Sequence, residues 1–515
     1  MPSNSPISDR TGRFIHAALQ QNDATIQEHI HRQRIQIELD PKVAESLAGQ
    51  LILFTLLNLL TRLDAYCPQL TVTLPAVLCH PSLRLLKACG LLDALGNFFA
   101  PFPAAQRLAL SGPGSRAGSI DLQLVISPRV VPGALSIWAD GWVVYLNEET
   151  PTEVMRNNTV GASVAAALAA AEVFKWLIGG LPLRPGITVM PTRRLVFSTY
   201  DYRLTAGDNP ALPSVVALDD TVVVGLGGIG AAFIAAAASL PAITGVLALV
   251  DRDTLDDTNL NRFLIARPGD TDFKVELCRQ ALGFHTGVRA YPEWFDSFIE
   301  EHGDQHEIAV VGVDTDRVRR SVQATRPKLI LNAGTSDVAS FRLTRHDYEH
   351  GACLSCIARA DLADHPVERE LARQLGLELA TILDYQASGH PLPVELLRQS
   401  RLLDEQVVQR LGNHPLAEIQ QRLCGQLVLG TSQQEAAVSI SFLSALPGFL
   451  LLGELIKELN YRDLVRPPLN EQVNHMLLSV LGRPHPALLH GWRDKRSDCD
   501  CVRPAYQHAY ARKWR

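Results

Sequence analysis

The sequence predicts an α/β fold with a mainly parallel sheet, and three observations carry that expectation. Short β-branched runs alternate with helical stretches through the second half, from TVVVGL at 221–226 to KLILNAG at 328–334. A glycine turn, Gly225-Leu-Gly227-Gly228-Ile-Gly230, stands between the first of those runs and a helical stretch. Finally, an apolar helix bearing the pattern Glu, two residues, Lys occurs in each half, at Glu172/Lys175 and at Glu454/Lys457.

At 515 residues the chain is long enough for about two to four domains. Apolar residues make up 47%, charged residues 20%, and the net charge is -6, a balance that points away from nucleic acid and from disorder. Nine scattered cysteines do not make a disulfide scaffold and fit a reducing cytoplasm. The opening residues MPSNSPISDRTGRF lack the apolar core of a signal peptide. Thr221 to Val250 carries no charge and is long enough to span a bilayer, but its glycines and alanines read better as a buried strand–helix–strand.

In chain order, residues 1–40 are polar and rich in His and Gln, expected to be partly helical and loosely held. Residues 41–66 carry a helical apolar pattern; 70–75 and 121–127 read as strands, 135–146 as a hairpin, and 161–178 as an Ala-rich helix. Residues 179–220, rich in Pro, Gly and Arg, read as a connection. Strands come next at 221–226, before Asp251, at 308–313 and at 328–334, and residues 361–436 read as a helical insert. The matched Glu/Lys helices suggest a duplication whose first copy has lost the glycine turn and, with it, any nucleotide chemistry.

Glycines after a strand and before a helix let backbone N–H groups approach phosphates, and Asp251 ends the next strand where a carboxylate can accept ribose hydroxyls. The default reading of such a turn is a dinucleotide site. The segment after Asp251 fits a triphosphate better: Thr258-Asn259-Leu-Asn261-Arg262, then Lys274, bring two cations for phosphate charge. Asp314-Thr315-Asp316 comes after a later strand at the carboxyl edge, where a carboxylate can hold Mg²⁺, Asp316 being the first candidate and Asp314 the alternative. Asp253, Asp256 and Asp257 read as a solvated turn and Arg252 as surface.

These residues together resemble the ThiF/MoeB/ubiquitin-activating (E1-like) adenylyltransferase family: the glycine turn, the acid ending the second strand, an (S/T)NLxRQ segment, a Lys after it and a TD pair. Phe263 stands where the family has Gln. The resemblance implies a Rossmann-like ThiF/E1 adenylation fold, fused here to a degenerate adenylation-like N-terminal half as a pseudodimer. It implies ATP and Mg²⁺, with Gly225, Gly227, Gly228, Gly230 and Asp251 around the nucleotide. Asn259, Arg262 and Lys274 would lie on the phosphates and Asp316 on the metal. Family members commonly take an arginine from a partner half, for which Arg10 and Arg13 are weak candidates, and association of two chains as a homodimer is a further expectation.

Cys353-x-x-Cys356 and Cys499-x-Cys501 are two close pairs, which favours structural Zn²⁺ over ordinary core cysteines. The resemblance implies a tetrathiolate site, although the second pair is one residue tighter than the family's and one ligand is open to displacement. Cys424, beside Gly425, lies where some ubiquitin-activating enzymes carry a thioester nucleophile; the plain alternative is a buried thiol. Cys67, Cys79, Cys89 and Cys278 read as packing.

The expected organisation is an inactive half at 1–200, an active nucleotide-binding part at 201–360, a helical insert at 361–436 and an end with zinc tail at 437–515. The architecture resembles the activating enzymes of bacterial ubiquitin-like conjugation (Bil-type antiphage) operons. That implies a ubiquitin-like protein ending in glycine and an E2-like conjugating enzyme as partners, neither nucleic acid nor membrane, and a cytoplasmic location. The alternatives are a ThiF/MoeB-type adenylyltransferase with no thioester step, for sulfur-carrier activation or ribosomal peptide modification, and a scaffold without turnover.

Overall fold

A computed structural model describes residues 11–514 apart from 13–14, 16–17, 88, 115–118, 152–154, 185–188, 336–339, 358–370, 373–374, 389, 400–402, 404, 417–418, 420–439, 462–468, 470–472, 480 and 482–489. The chain divides into two compact units, one formed by 1–358 with 437–515 and the other by 359–436.

The larger unit holds two large sheets and a small two-stranded one that pairs Val216–Ala217 with Ile243–Thr244. The N-terminal half runs α1 (Asp23–His31), β1 (Arg34–Leu39), α2 (Leu47–Thr61), β2 (Gln69–Thr73), α3 (Leu91–Phe99), β3 (Leu108–Ser111), β4 (Leu122–Ile126), β5 (Leu135–Asp140), β6 (Val143–Leu146), α4 (Thr159–Leu177) and β7 (Leu195–Ser198). Its strands lie in the order β3-β2-β1-β4-β5-β6-β7, the first five parallel and the last two antiparallel.

The second half runs β8 (Thr221–Val224), α5 (Gly228–Ala237), β9 (Leu247–Val250), α6 (Lys274–Ala281), β10 (Val288–Tyr291), α7 (Phe295–His302), β11 (Ile308–Val311), α8 (Asp316–Ala324), β12 (Leu329–Thr335), β13 (Ser340–Asp347), α9 (Ser441–Asn460), β14 (His475–Ser479), β15 (His490–Gly491) and α10 (Pro504–Lys513). Its order is β10-β9-β8-β11-β12-β13-β14-β15, again five parallel strands and then antiparallel ones. Counted from the first strand of each half, the first sheet reads 3-2-1-4-5-6-7 and the second 3-2-1-4-5-6-7-8. The order reverses beside the first strand in both, which is where open α/β sheets take ligands.

Local chemistry sets these elements. Ser46 accepts from the Gly49 N–H and Asn158 from those of Val160 and Gly161, capping α2 and α4. Both helices are apolar on nearly every face because both are walled in. The α4 stretch is long and apolar enough to cross a membrane, yet 94% of it is buried inside the protein, which marks it as a core helix.

The two halves share one hydrophobic core: α2 and α4 pack together, α5 and α9 pack together, and α4 lies along α9. Phe174 on α4 meets Phe442 on α9 with ring centroids 5.4 Å apart. A Cβ at Gly448 would sit 2.3 Å from the Ile229 carbonyl oxygen, so glycine lets α9 lie directly on α5 despite its cost of about 1 kcal/mol in a helix. The matched Glu/Lys pairs both form buried i,i+3 ion pairs, Glu172 with Lys175 and Glu454 with Lys457. Each lysine also reaches the segment between them: Lys175 Nζ donates to Met190 O at 3.1 Å, and Lys457 Nζ donates to Tyr200 O at 2.9 Å.

Two expectations need correction. Residues 34–39 are not loosely held; they form an interior strand of the first sheet, paired on both sides. The 179–220 connection contains β7, which closes that sheet through antiparallel pairing with β6.

Within residues 359–436 the described elements are helices Leu379–Ser388, Val394–Arg398 and Glu405–Leu411, with Pro391–Leu392 paired to His414–Pro415. Leu375, Ile382, Leu392, Leu397, Leu411 and Ile419 form the centre of this unit's own apolar cluster.

Candidate functional site

The glycine turn comes directly after β8, at the reversal of strand order. Gly225 has φ +86°, a left-handed conformation, and a Cβ on Gly230 would fall 2.3 Å from the Gly225 carbonyl oxygen, so the turn folds back under its own helix. Gly227 precedes α5 with no side-chain cap and with open space where a Cβ would stand. The first N–H groups of α5 therefore have no capping side chain at the end where a helix attracts anions. Gly228 lies against the Arg262 stem, its would-be Cβ 3.0 Å from Arg262 Cδ.

A cavity of about 570 Å³ opens at this edge. Gly225, Gly227, Gly228, Asp251, Asn259, Arg262 and Lys274 all line it, as do Asp253, Asp314 and Thr315. Gly230 works from beneath, as the contact that closes the turn.

The Asp251 carboxylate is fixed by two backbone donors, Leu226 N at 2.6 Å and Asp253 N at 2.9 Å. Burial pushes its pKa up from the ordinary value, against the pull of Lys274 and those two N–H groups. Lys274 is buried to 8% side-chain exposure and donates to Asp253 Oδ2 at 2.8 Å, while Asp253 itself is half exposed. Arg262 Nη1 donates to Asn261 Oδ1 at 2.8 Å and to Thr258 O at 3.3 Å, and Asn259 Nδ2 to Thr258 Oγ1 at 3.3 Å. Asp256 caps the short 3₁₀ turn Asp257–Asn259 that carries this segment. The arrangement presents two cations and a helix N-terminus to a polyanion, with a fixed carboxylate alongside for hydroxyl groups.

Asp316, the first metal candidate, is not among the residues that line the cavity. It is the first residue of α8, and its carboxylate accepts from Arg319 Nη1 at 2.5 Å. Arg319 also donates to Val313 O at 2.5 Å. The acid of this triplet that lines the cavity is Asp314. Asp253, read as a solvated turn, is half exposed and also pairs with Lys274 in the cavity wall. Arg252, read as surface, lines the cavity too, with its guanidinium 3.5 Å from the Trp294 ring centroid. No sequence signal marked Trp294, which lies just beyond β10 at the same edge.

The four paired cysteines converge. Sγ of Cys353 lies 3.7 Å from that of Cys356 and 3.6 Å from that of Cys499, and Cys356 Sγ lies 3.6 Å from Cys501 Sγ. All four sulfurs are within 4.8 Å of one another, and all four residues are buried. A disulfide would need about 2.05 Å, whereas a tetrahedral thiolate site with bonds of about 2.3 Å spaces its sulfurs at about 3.8 Å. The tight Cys499-x-Cys501 spacing is accommodated by a 3₁₀ turn, Asp500–Val502, and displaces neither sulfur. Arg496 N donates to Cys356 Sγ at 3.4 Å. Beyond the cluster α10 packs back on the unit: Tyr506 Oη donates to Gln323 O at 2.7 Å, and the Tyr348 and Tyr510 rings stack at 3.5 Å. Cys424, Arg10 and Arg13 lie outside the described residues. Cys67 and Cys278 are buried, as expected for packing, while Cys79 and Cys89 are only partly so.

Comparison with known proteins bears on both halves. The ThiF family profile matches residues 218–476, and the BilD N-terminal domain profile matches 34–184. The uncharacterized protein y4jF of Sinorhizobium fredii is 27% identical, the match covering 94% of this chain and 92% of that protein. Among solved structures, Escherichia coli MccB with ATP is 14% identical with a TM-score of 0.33, covering 56% of this chain and 66% of that one. The complex of E. coli MccB with MccA-N7isoASN is 16% identical with a TM-score of 0.34, covering 55% and 66%. The chain thus spans just under two thirds of the MccB chains it matches. With half of its length under one profile, and that half folded around a glycine turn at the strand-order reversal, the chain belongs to the ThiF family.

Proposed function

We propose that this chain is an E1-like activating enzyme that uses Mg·ATP to adenylate the C-terminal glycine of a ubiquitin-like protein, in the service of bacterial antiviral defence. The observation that carries the reading is the single cavity shared by the glycine turn, Asp251, Asn259, Arg262, Lys274 and Asp314. The match to a BilD N-terminal domain over 34–184 supports the defence context and the ubiquitin-like partner.

In the proposed reaction a carboxylate oxygen of the partner's terminal glycine attacks the α-phosphorus of ATP. The bond from that phosphorus to the bridging oxygen breaks, and pyrophosphate leaves with its electron pair. Backbone N–H groups at the start of α5 with Arg262 and Lys274 oppose the charge that builds on the phosphates. Asp251 receives the ribose hydroxyls. Asp314 or Asp316 would hold magnesium, which would supply positive charge against the phosphates. The Cys424 thiolate then attacks the acyl carbon, AMP departs, and the acyl group passes by thioester exchange to an E2-like enzyme. Zinc at Cys353, Cys356, Cys499 and Cys501 has a structural part, tying the tail to the unit. In this scheme residues 1–200 are an inactive adenylation-like half, 201–360 the active nucleotide-binding part, 361–436 the insert with Cys424, and 437–515 the end of the active part and the zinc tail. The reaction belongs in the cytoplasm.

ATP–pyrophosphate exchange that requires a ubiquitin-like protein ending in glycine tests the first step; no exchange with any such protein would remove the reading. A thiol-sensitive adduct present in the wild type and missing in Cys424→Ala tests the second. The reading without a thioester step, favoured by the coarser ThiF membership alone, predicts exchange with no adduct.

A further inference from the structure

The N-terminal half has no glycine turn, but it holds the segment of the other half that carries Arg262. Arg62, just beyond α2, is completely buried. Its Nε donates to Asn58 Oδ1 at 2.8 Å, its Nη2 to Ala266 O at 2.6 Å, and its Nη1 to Leu260 O. Asn58 in turn donates through Nδ2 to Leu264 O at 2.8 Å. Phe102 lies under the guanidinium, 5.0 Å to the ring centroid.

Three carbonyls, at 260, 264 and 266, are thus gripped on either side of Arg262, whose own head group is tied to Thr258 and Asn261 of the same segment. The segment, and with it the Asn259 and Arg262 side chains in the cavity wall, is therefore placed by a residue nearly two hundred positions away. A cation is an expensive choice for a contact that packing alone could make, because an interior charge is costly unless hydrogen bonds surround it. What a guanidinium adds is a rigid planar fork that fixes two carbonyls at once.

Arg84 crosses between the halves in the same manner but at a different place. It donates to Ala238 O at 2.9 Å, Leu240 O at 2.6 Å and Pro241 O at 2.9 Å, beyond the end of α5 opposite the glycine turn.

We propose that Arg62 is a positioning residue for nucleotide binding: the N-terminal half serves the active half by clamping the Asn259–Arg262 segment over the phosphate site. The proposal rests on reading the cavity as an adenylation site. A shift of about 1 Å in a positioned group costs up to about 10²-fold, so a loosened clamp is expected to be measurable.

The experiment measures Mg·ATP affinity of the full chain by calorimetry and amide hydrogen exchange across 258–266. Arg62→Met is expected to weaken Mg·ATP binding by about tenfold or more and to speed exchange in 258–266. Arg62→Lys is expected to remain weakened, since a point charge does not reproduce the fork. Adding Arg262→Ala to Arg62→Met is expected to cost less than about twofold more, because both changes remove one contact. Arg84→Met, an equal loss at the interface, is expected to bind within about twofold of wild type. Unchanged affinity in Arg62→Met alongside faster exchange, or fully additive losses in the double variant, overturns the proposal. If Arg62→Met does not fold, Asn58→Leu releases the Leu264 carbonyl and takes the acceptor from Arg62 Nε, and its unchanged affinity overturns the proposal equally. A wild-type chain that binds no Mg·ATP removes the adenylation reading and this proposal together. Normal wild-type binding with an unaffected Arg62→Met removes the clamp alone.

Discussion

Replacing Lys274 with methionine separates its two roles by size of effect. The side chain keeps its length and apolar stem but loses the ammonium. The structural loss is modest: Asp253 is half exposed and turns to water, but the buried Asp251 carboxylate also loses a nearby cation, so the expected cost to stability is about 1–2 kcal/mol. Release of a buried positive charge offsets part of even that. The functional loss is larger. A charge-assisted contact to a phosphate that gains charge in the transition state is worth roughly 2–4 kcal/mol in a water-excluded site. At about 1.36 kcal/mol per tenfold, that is a fall of roughly 30- to 1000-fold in the rate of ATP–pyrophosphate exchange. The assay is partner-dependent exchange of labelled pyrophosphate, with thermal unfolding of the same sample as the stability control. Exchange within about threefold of wild type, in a protein still folded at the assay temperature, would refute the placing of Lys274 on the phosphates.

The geometry supports three further outcomes. Asp314→Ala is expected to lower exchange by about 10²-fold and to do so more than Asp316→Ala, because Asp314 faces the cavity and Asp316 is engaged by Arg319; the reverse order would return the metal to Asp316. Purified protein is expected to carry about one zinc per chain by elemental analysis. Chelation or Cys501→Ser is expected to free α10, seen as faster hydrogen exchange across 500–514, and no change on metal loss would remove the structural role. His475 is pulled down to about 4 by burial beside Arg342 and Arg493, so the fold holds it neutral where the unfolded chain, at about 6.5, takes a proton. Its contribution is present above about pH 6.5 and is lost as pH falls toward 4, a decline of roughly 3 kcal/mol that His475→Gln is expected to flatten in urea titrations across that range.

How much of this was legible in the sequence depends on how locally each feature is encoded. The glycine turn, Asp251, Arg262 and Lys274 sit in short contiguous motifs whose spacing comes from one strand–turn–helix unit, and the structure gathers them in one cavity. The four cysteines declared themselves as two close pairs, and their sulfurs meet. Strand β1 was hidden because RIQIEL is short, alternates charged or amide side chains with isoleucines, and stands after a polar stretch; only its neighbours on both sides make it an interior strand. β7 was hidden for a similar reason, four residues amid Pro, Gly and Arg. The choice between Asp314 and Asp316 turned on where α8 begins, since two residues decide whether a carboxylate faces the cavity or the first helical turn. Arg62 gave no sign at all, because the carbonyls it binds are 198 and 204 residues away along the chain.

The shared core of the two halves has a consequence for what the first half can become. Joined in one polypeptide, a back-to-back pair does not separate on dilution, and the active half always meets its counterpart at one-to-one ratio. The apolar rear of α5 and α9 is covered by α2 and α4 and by Trp142, Tyr200 and Tyr202 of the same half, so removing the first half would leave that rear open to self-association. The rear of the first half is thereby bound to the folding of the second, while its front edge carries no such constraint from the shared core.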